Sequence, residues 1–364
     1  MAASETVAAM KGSVLGIILH DICEEIRLEP LREILSAKRV DTSFKHATPE
    51  YVRFEEPPVV ERLDPITLAG GETVSLQVKY YDYGVVSVVF EWGFEADWQD
   101  LVKLAARWVP SAELEHQAQQ IVRGRLERIA PAIVRPYNDW LSEDYYVFLL
   151  TDVPGRPRGA DLLAQHGPEI AEMLRGEAVP LAPSEMQDVL QASLSYYPND
   201  LVVVGWNAAL VYDEPAGAET SVQILEYANS QLLEFRHYDE LLTRELAGVY
   251  RSLKHRAGFW RRWRMREEAS KLSSLTVEVT ELVERADTAI KFVSDMFSAR
   301  LYRLAASKVG VPEYKNLVNA KLHTADGLYR ALIDEFHQSR GFVLEVMVVI
   351  ILIIELVYLF RGKF

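Results

Sequence analysis

The sequence predicts an α+β domain, then long helices forming an antiparallel coiled-coil hairpin, then a single C-terminal transmembrane helix. Three observations predict it. Before Pro215, short β-branched runs alternate with helical patterns but without a regular βαβ beat. After Pro215, apolar residues recur in heptads. Residues 342–360 hold two non-apolar residues, Glu345 and Glu355. The expected divisions are residues 1–214 for the α+β domain, 215–340 for the helical hairpin, 341–360 for the membrane anchor and 361–364 for a short tail.

Taken in order, residues 13–20 (SVLGIILH) read as a buried strand, and residues 28–37 carry Leu28, Leu31, Ile34 and Leu35 at the spacing of a helical face. Residues 49–65 contain four prolines and read as irregular apart from an extended piece at 51–54. Gly70-Gly71 marks a turn. Residues 73–80 alternate and residues 84–92 are valine-rich, so both read as strands joined through Tyr81-Asp82-Tyr83. Residues 97–109 and 116–129 read as helices, 145–150 as a strand and 154–159 as a loop. Short helical pieces run to about Ser193, and residues 200–213 read as a strand with a kink at Asn207.

From residue 218 to 340 there is one proline, Pro312. Leu272, Val279, Ala286 and Val293 share one heptad position, and Leu275, Leu282, Ala289 and Met296 another. Gly310 and Pro312 supply a helix stop and a helix start. Beyond them Val318, Leu322, Ala325, Tyr329, Leu332 and Phe336 continue the stripe, so two arms and a tight turn are expected. As a helix, residues 342–360 extend roughly 28 Å, about the thickness of a bilayer core. Arg340, Arg361 and Lys363 bracket the run, and Tyr358 and Phe360 stand where rings favour headgroups. Residues 1–10 carry no basic n-region and no arginine precedes Arg27, so neither a secretory signal nor a transit peptide is read there. The expected location is a single-pass membrane anchor with the bulk of the chain cytoplasmic.

The formal net charge of -14 makes general binding to nucleic acid or anionic membrane unfavourable outside a local basic patch. Cys23 is the one cysteine, which excludes an internal disulfide and suits a reducing compartment. The eight histidines are scattered, and no phosphate-binding loop, dinucleotide fingerprint, zinc signature or nucleophile elbow is present. No catalytic residue, cofactor or metal is nominated, and a non-catalytic protein is expected. One basic concentration stands out: residues 251–266 hold Arg251, Lys254, Arg256, Arg261, Arg262, Arg264 and Arg266, with Phe259, Trp260 and Trp263 between them. Such a segment is a solvated helix face, a contact for anionic headgroups, or a contact for RNA or a ribosome. Glu355, inside the apolar run, is the candidate for assembly into a homo-oligomer within the membrane.

Tyr83, Gly84, Val85, Val86, Phe90, Trp92 and Gly93 together resemble the aromatic-Gly-Val-Val…Phe-Trp-Gly core of the required for meiotic nuclear division family. The closing Leu344-Glu345, aliphatic run and Ile354-Glu355 resembles that family's tail. The resemblance runs from about Ser13 to Phe360. It implies a membrane-anchored, homo-oligomeric, non-catalytic protein without established catalytic residues to carry over. Mitochondrial members support translation by holding ribosomes at the inner membrane, and this chain, read without a transit peptide, resembles a bacterial relative. In plain structural terms Gly84 and Gly93 are expected to end the strand, with Phe90 and Trp92 in the core. The expected function is a tail-anchored scaffold presenting its α+β domain to a protein partner; the alternative is a tether for ribosomes or RNA.

Overall fold

The computed structural model describes residues 9–36, 52–54, 57–254, 261–288, 290–292 and 296–361. The strands are β1 (Met10–Ile26), β2 (Val52–Phe54), β3 (Val59–Thr67), β4 (Thr73–Tyr80), β5 (Val85–Ala96), β6 (Ile133–Asp152), β7 (Ser193–Leu194), β8 (Leu201–Val204), β9 (Ala208–Tyr212) and β10 (Ile290–Phe292). The helices are α1 (Leu28–Leu35), α2 (Trp98–Trp108), α3 (Glu113–Arg123), α4 (Leu126–Ile129), α5 (Gly159–Arg175), α6 (Pro183–Leu190), α7 (Pro215–Lys254), α8 (Arg261–Thr288), α9 (Met296–Val309) and α10 (Val311–Arg361). They fall into two compact units, residues 1–237 with 284–314, and residues 238–283 with 315–364.

The first unit is built on an eight-stranded sheet in the order β3-β4-β5-β1-β6-β9-β8-β7. All pairs are antiparallel except β6 with β9, whose parallel register requires the α5–α6 crossover. β1 lies at the centre because both its neighbours are long: Ile17 faces Val89 on β5 and Tyr145 on β6. Its residues alternate between two buried faces, which explains why residues 13–20 read as continuously apolar. Val14, Gly16, Ile18 and Ile22 face one layer, where Trp92 and Trp108 pack with ring centroids 5.1 Å apart. Leu15, Ile17, Leu19 and Asp21 face the other, which is covered by the first half of α7.

That half of α7 is buried on nearly every side: residues from Ile224 to Phe235 are all withdrawn from solvent. The sheet lies on one side. α9 contributes from another, through Tyr302, whose hydroxyl donates to Gln231. Residues 290–292 return to pair with β2, Ile290 opposite Phe54.

The second unit is helical. Leu246 and Val249 of α7, Ala269 and Leu272 of α8, and Ala325 and Leu332 of α10 form one small core. Lys321 Nζ donates to Asp239 Oδ1 at 2.5 Å, joining α10 to α7. Three helical segments therefore share this core, where a two-armed hairpin was expected. The heptads hold at Leu272, Val279 and Leu282, all buried, but Met296 is 72% exposed. The arm breaks because residues 290–292 take strand geometry, so the expected first arm never runs unbroken to Gly310.

The membrane anchor is corrected by the structure. Among the described residues no helix is long and apolar enough to cross a membrane. The run does lie on α10, and Glu355 interrupts it. The single-pass helix at 341–360, the tail-anchored arrangement and the membrane location derived from it are not supported. Two smaller corrections concern strands. Residues 59–67 are a strand despite Pro65, tolerated on the sheet edge where the register shifts between Leu63 and Ile66. Asn207 lies in the turn between β8 and β9, which pair as a hairpin.

Gly84 shows how tightly the centre is built. Its φ of +95° is in the region L side chains avoid, and a Cβ there would come within 1.8 Å of the Cys23 carbonyl oxygen. Gly93, expected to end the strand, lies within β5 opposite Ser13. Gly84→Ala should destabilise the chain by about 2 kcal/mol or more, while Gly93→Ala should cost under about 1 kcal/mol. Urea unfolding of the two variants checks this; equal midpoints would contradict it.

Candidate functional site

The second sheet face carries polar groups that a core of this depth does not need. Asp21 of β1 and Ser87 of β5 are buried there, and Lys79 of β4 lies opposite Ser87. α7 answers with a polar stripe: Glu219, Gln223, Glu226, Ser230, Glu234 and His237 recur at helical spacing. Lys79 Nζ donates to Glu226 Oε2. The Tyr83 and Ser230 hydroxyls are 2.8 Å apart. His237 Nδ1 lies 2.7 Å from Asp21 Oδ2. Arg236, beside the stripe, donates to Glu143 of β6. The result is a polar seam joining helix to sheet, each contact linking residues distant in sequence.

Burial sets the electrostatics of the seam. It pushes the Asp21 carboxyl well above the usual carboxylate range. It also pushes the Cys23 thiol up to about 12, with Asp21 adding to the effect, so this thiol stays protonated. The Tyr81 phenol, which hydrogen-bonds to the Glu226 carboxylate, is raised by burial and then by that carboxylate. Tyr137 stacks on His237 with centroids 4.4 Å apart, and its phenol is raised by burial and then by Asp21.

At the start of α7 the seam opens into a cleft of about 740 Å³. Leu15, Val89, Leu149 and Val222 give it an apolar floor, while Lys79, Gln223 and Glu226 form its inner polar wall. Glu91 and Glu219 stand at its edges, and Glu61 and Arg128 at its far rim. Glu61 is already engaged, by Arg125 at 3.0 Å and Arg128 at 3.5 Å. Glu226 is 0% exposed, yet its Oε1 has no hydrogen-bond partner; Gln223 Oε1 is likewise buried and unpartnered. Buried acceptors without donors are costly, and their place at a cleft wall suits a ligand that donates to them. The cleft volume lies in the range of small-molecule sites. Among the described residues no group of three or more His, Cys, Asp or Glu could hold a metal ion.

The opposite sheet face holds a second buried group, His20. It lies edge-on to Trp140 at 5.9 Å, and neither ring nitrogen has a partner. Burial lowers its pKa to about 4, against an opposing effect of Glu115.

Of the motif residues read in the sequence, Tyr83 joins the seam, and Gly84 makes the turn that brings it there, its N–H donating to the Tyr81 carbonyl at 3.2 Å. Val86, Phe90 and Trp92 pack in the main core and Val85 on the seam face. The basic segment straddles the end of α7 and the start of α8. Arg251 is exposed, its Nε donating to the Ala247 carbonyl at 3.2 Å. Arg256 lies outside the described residues, as do the side chains of Lys254, Arg261, Arg262, Arg264 and Arg266. Glu355 is exposed on α10, and without a spanning helix its intramembrane role lapses. Sequence reasoning missed the seam. Its signal is the polar stripe at i, i+4, i+7 and i+11 from Glu219 in a helix otherwise rich in buried apolar residues.

Residues 11–219 match the family described as "Uncharacterized protein MJ0711, N-terminal domain". The chain belongs to that family. Over 188 residues it is 18% identical to uncharacterized protein MJ0711 of Methanocaldococcus jannaschii, covering 52% of this chain. The match spans 58% of that relative's length. No solved structure matches the chain. Neither match bears on the resemblance to the meiotic nuclear division family. The family region takes in β1 to β9 and ends at Glu219, the first residue of the polar stripe.

His20 gives a pH prediction. The unfolded chain binds a proton at His20 near its ordinary value of 6.5 and the folded chain only near 4. Stability is therefore lost as pH falls through that window, by about 3 kcal/mol in all. His20→Leu should flatten the acid limb of stability between those pH values in denaturant titrations; an unchanged slope would contradict the assignment.

Proposed function

We propose that the sheet unit is a non-catalytic recognition module that takes a small ligand in the cleft between strands β4, β5, β1 and β6 and the first turns of α7. One observation carries this reading: a cleft of about 740 Å³ whose inner wall presents a buried carboxylate oxygen without a donor. A surface built only for packing would pair or remove that acceptor. The apolar floor supplies burial and the wall supplies orientation, the division of labour of small-molecule sites. The recognition domain expected from the sequence is retained in this reading, and its display from a membrane is not.

Lys79 and Glu226 serve here as a fixed dipole. Their charges are spent on one another, which favours holding a ligand over moving protons. The seam continues from this pair to Asp21 and His237, so ligand contact at Glu226 bears on the seating of α7 as a whole.

Native mass spectrometry of the full chain, isolated gently, tests the reading. A bound mass is expected on the wild type and should be lost from Val222→Trp, which fills the cleft from α7 while keeping an apolar surface. Wild type free of any bound species, or retention of the mass by the variant, would contradict it.

A further inference from the structure

We propose, building on the recognition reading above, that the ligand is a flexible organic polycation of the polyamine class, methylene segments joining two or more protonated amines. The proposal stands on which hydrogen-bonding groups in the cleft remain open. On the inner wall they are acceptors: Glu226 Oε1 and Gln223 Oε1, both buried and without partners. At the edges stand the carboxylates of Glu91 and Glu219, which have no ion-pair partner among the described residues. The inner cation, Lys79, is held by Glu226, and Arg128 at the far rim is held by Glu61. The remaining cation, Arg62, is exposed to solvent. A ligand that meets these acceptors donates to them, and carries least cost if it is positive.

The floor decides between kinds of cation. A hydrated metal ion needs converging oxygens, and no group of three or more His, Cys, Asp or Glu among the described residues offers them. Leu15, Val89 and Val222 instead form an aliphatic surface between acceptors at the wall and the edges. A chain of methylenes covers such a surface while its amines reach the carboxylates and amide at either side. An anionic ligand would meet Glu226, Glu91 and Glu219 together. The acidic groups do not stand alone as grounds for the site: Glu226, a lining residue, is fully buried, and its Oε1 has no hydrogen-bond partner.

The test uses the full chain in equilibrium dialysis with labelled spermidine at physiological ionic strength, with putrescine and sorbitol as competitors. Saturable one-to-one binding is expected, displaced by putrescine and not by sorbitol. Glu226→Gln should weaken it about tenfold, one charge-assisted hydrogen bond. Because that change leaves Lys79 without its partner, Glu91→Gln with Glu219→Gln provides a second variant at the edges, expected to weaken binding while unfolding as the wild type does. Val222→Trp should abolish it. An acidic chain also attracts polyamines diffusely, so binding that survives Val222→Trp or fails to saturate overturns the proposal. Absence of spermidine binding while native mass spectrometry still shows a mass lost with Val222→Trp overturns the polycation alone. Absence of both overturns the cleft reading with it.

Discussion

The pairing of half-buried Lys79 with fully buried Glu226 is the constraint on which the first unit depends. A carboxylate fully withdrawn from water is tolerable only with a partner in place, and here the partner comes from a strand 147 residues earlier in the chain. Satisfying Glu226 fixes the rotation of α7 about its axis. That rotation then sets Ser230 against Tyr83 and His237 against Asp21. Apolar packing alone would tolerate several settings of a helix buried on nearly all sides; the polar contacts select one.

The cleft follows from the same geometry. Where the stripe reaches Gln223, no lysine besides Lys79 stands among the described residues lining the cleft, and the Gln223 and Glu226 acceptors stay open beside an aliphatic floor. The site is therefore the unfinished end of a structural seam. The rest of the unit supports it from behind: β1 at the centre holds the register of β5 and β6, and the tight turn at Gly84 carries Tyr83 into contact with α7.

Much of the sheet was legible because alternation and valine content survive in the sequence. Residues 13–20, 73–80 and 84–92 gave β1, β4 and β5, since strands packed on one or both faces show it in composition. β3 was hidden by Pro65, which an edge strand with a shifted register accommodates. The first half of β6, residues 133–144, was hidden because it is polar and half-exposed, held by backbone pairing to β1. Leu272 and Val279 of the α8 heptads are buried, but strand pairing takes over before the repeat ends. The apolar run on α10 is plain in composition, yet among the described residues it does not make a spanning helix. The candidate site was not legible, because a polar stripe opposite apolar residues is what any surface helix displays. Only the fold reveals that Lys79, Tyr83 and Asp21 stand across from it.

A double-mutant cycle on Lys79 and Glu226 tests the central claim most directly. Lys79→Met should destabilise the chain by about 3 kcal/mol or more, leaving Glu226 buried and uncompensated, and Glu226→Leu by a smaller amount, because Lys79 is only half-buried at the cleft. The double variant should recover most of that loss, giving a coupling energy of about 2 kcal/mol or more. Additive losses in denaturant unfolding would show that the pair does not set α7 against the sheet, and would contradict the account.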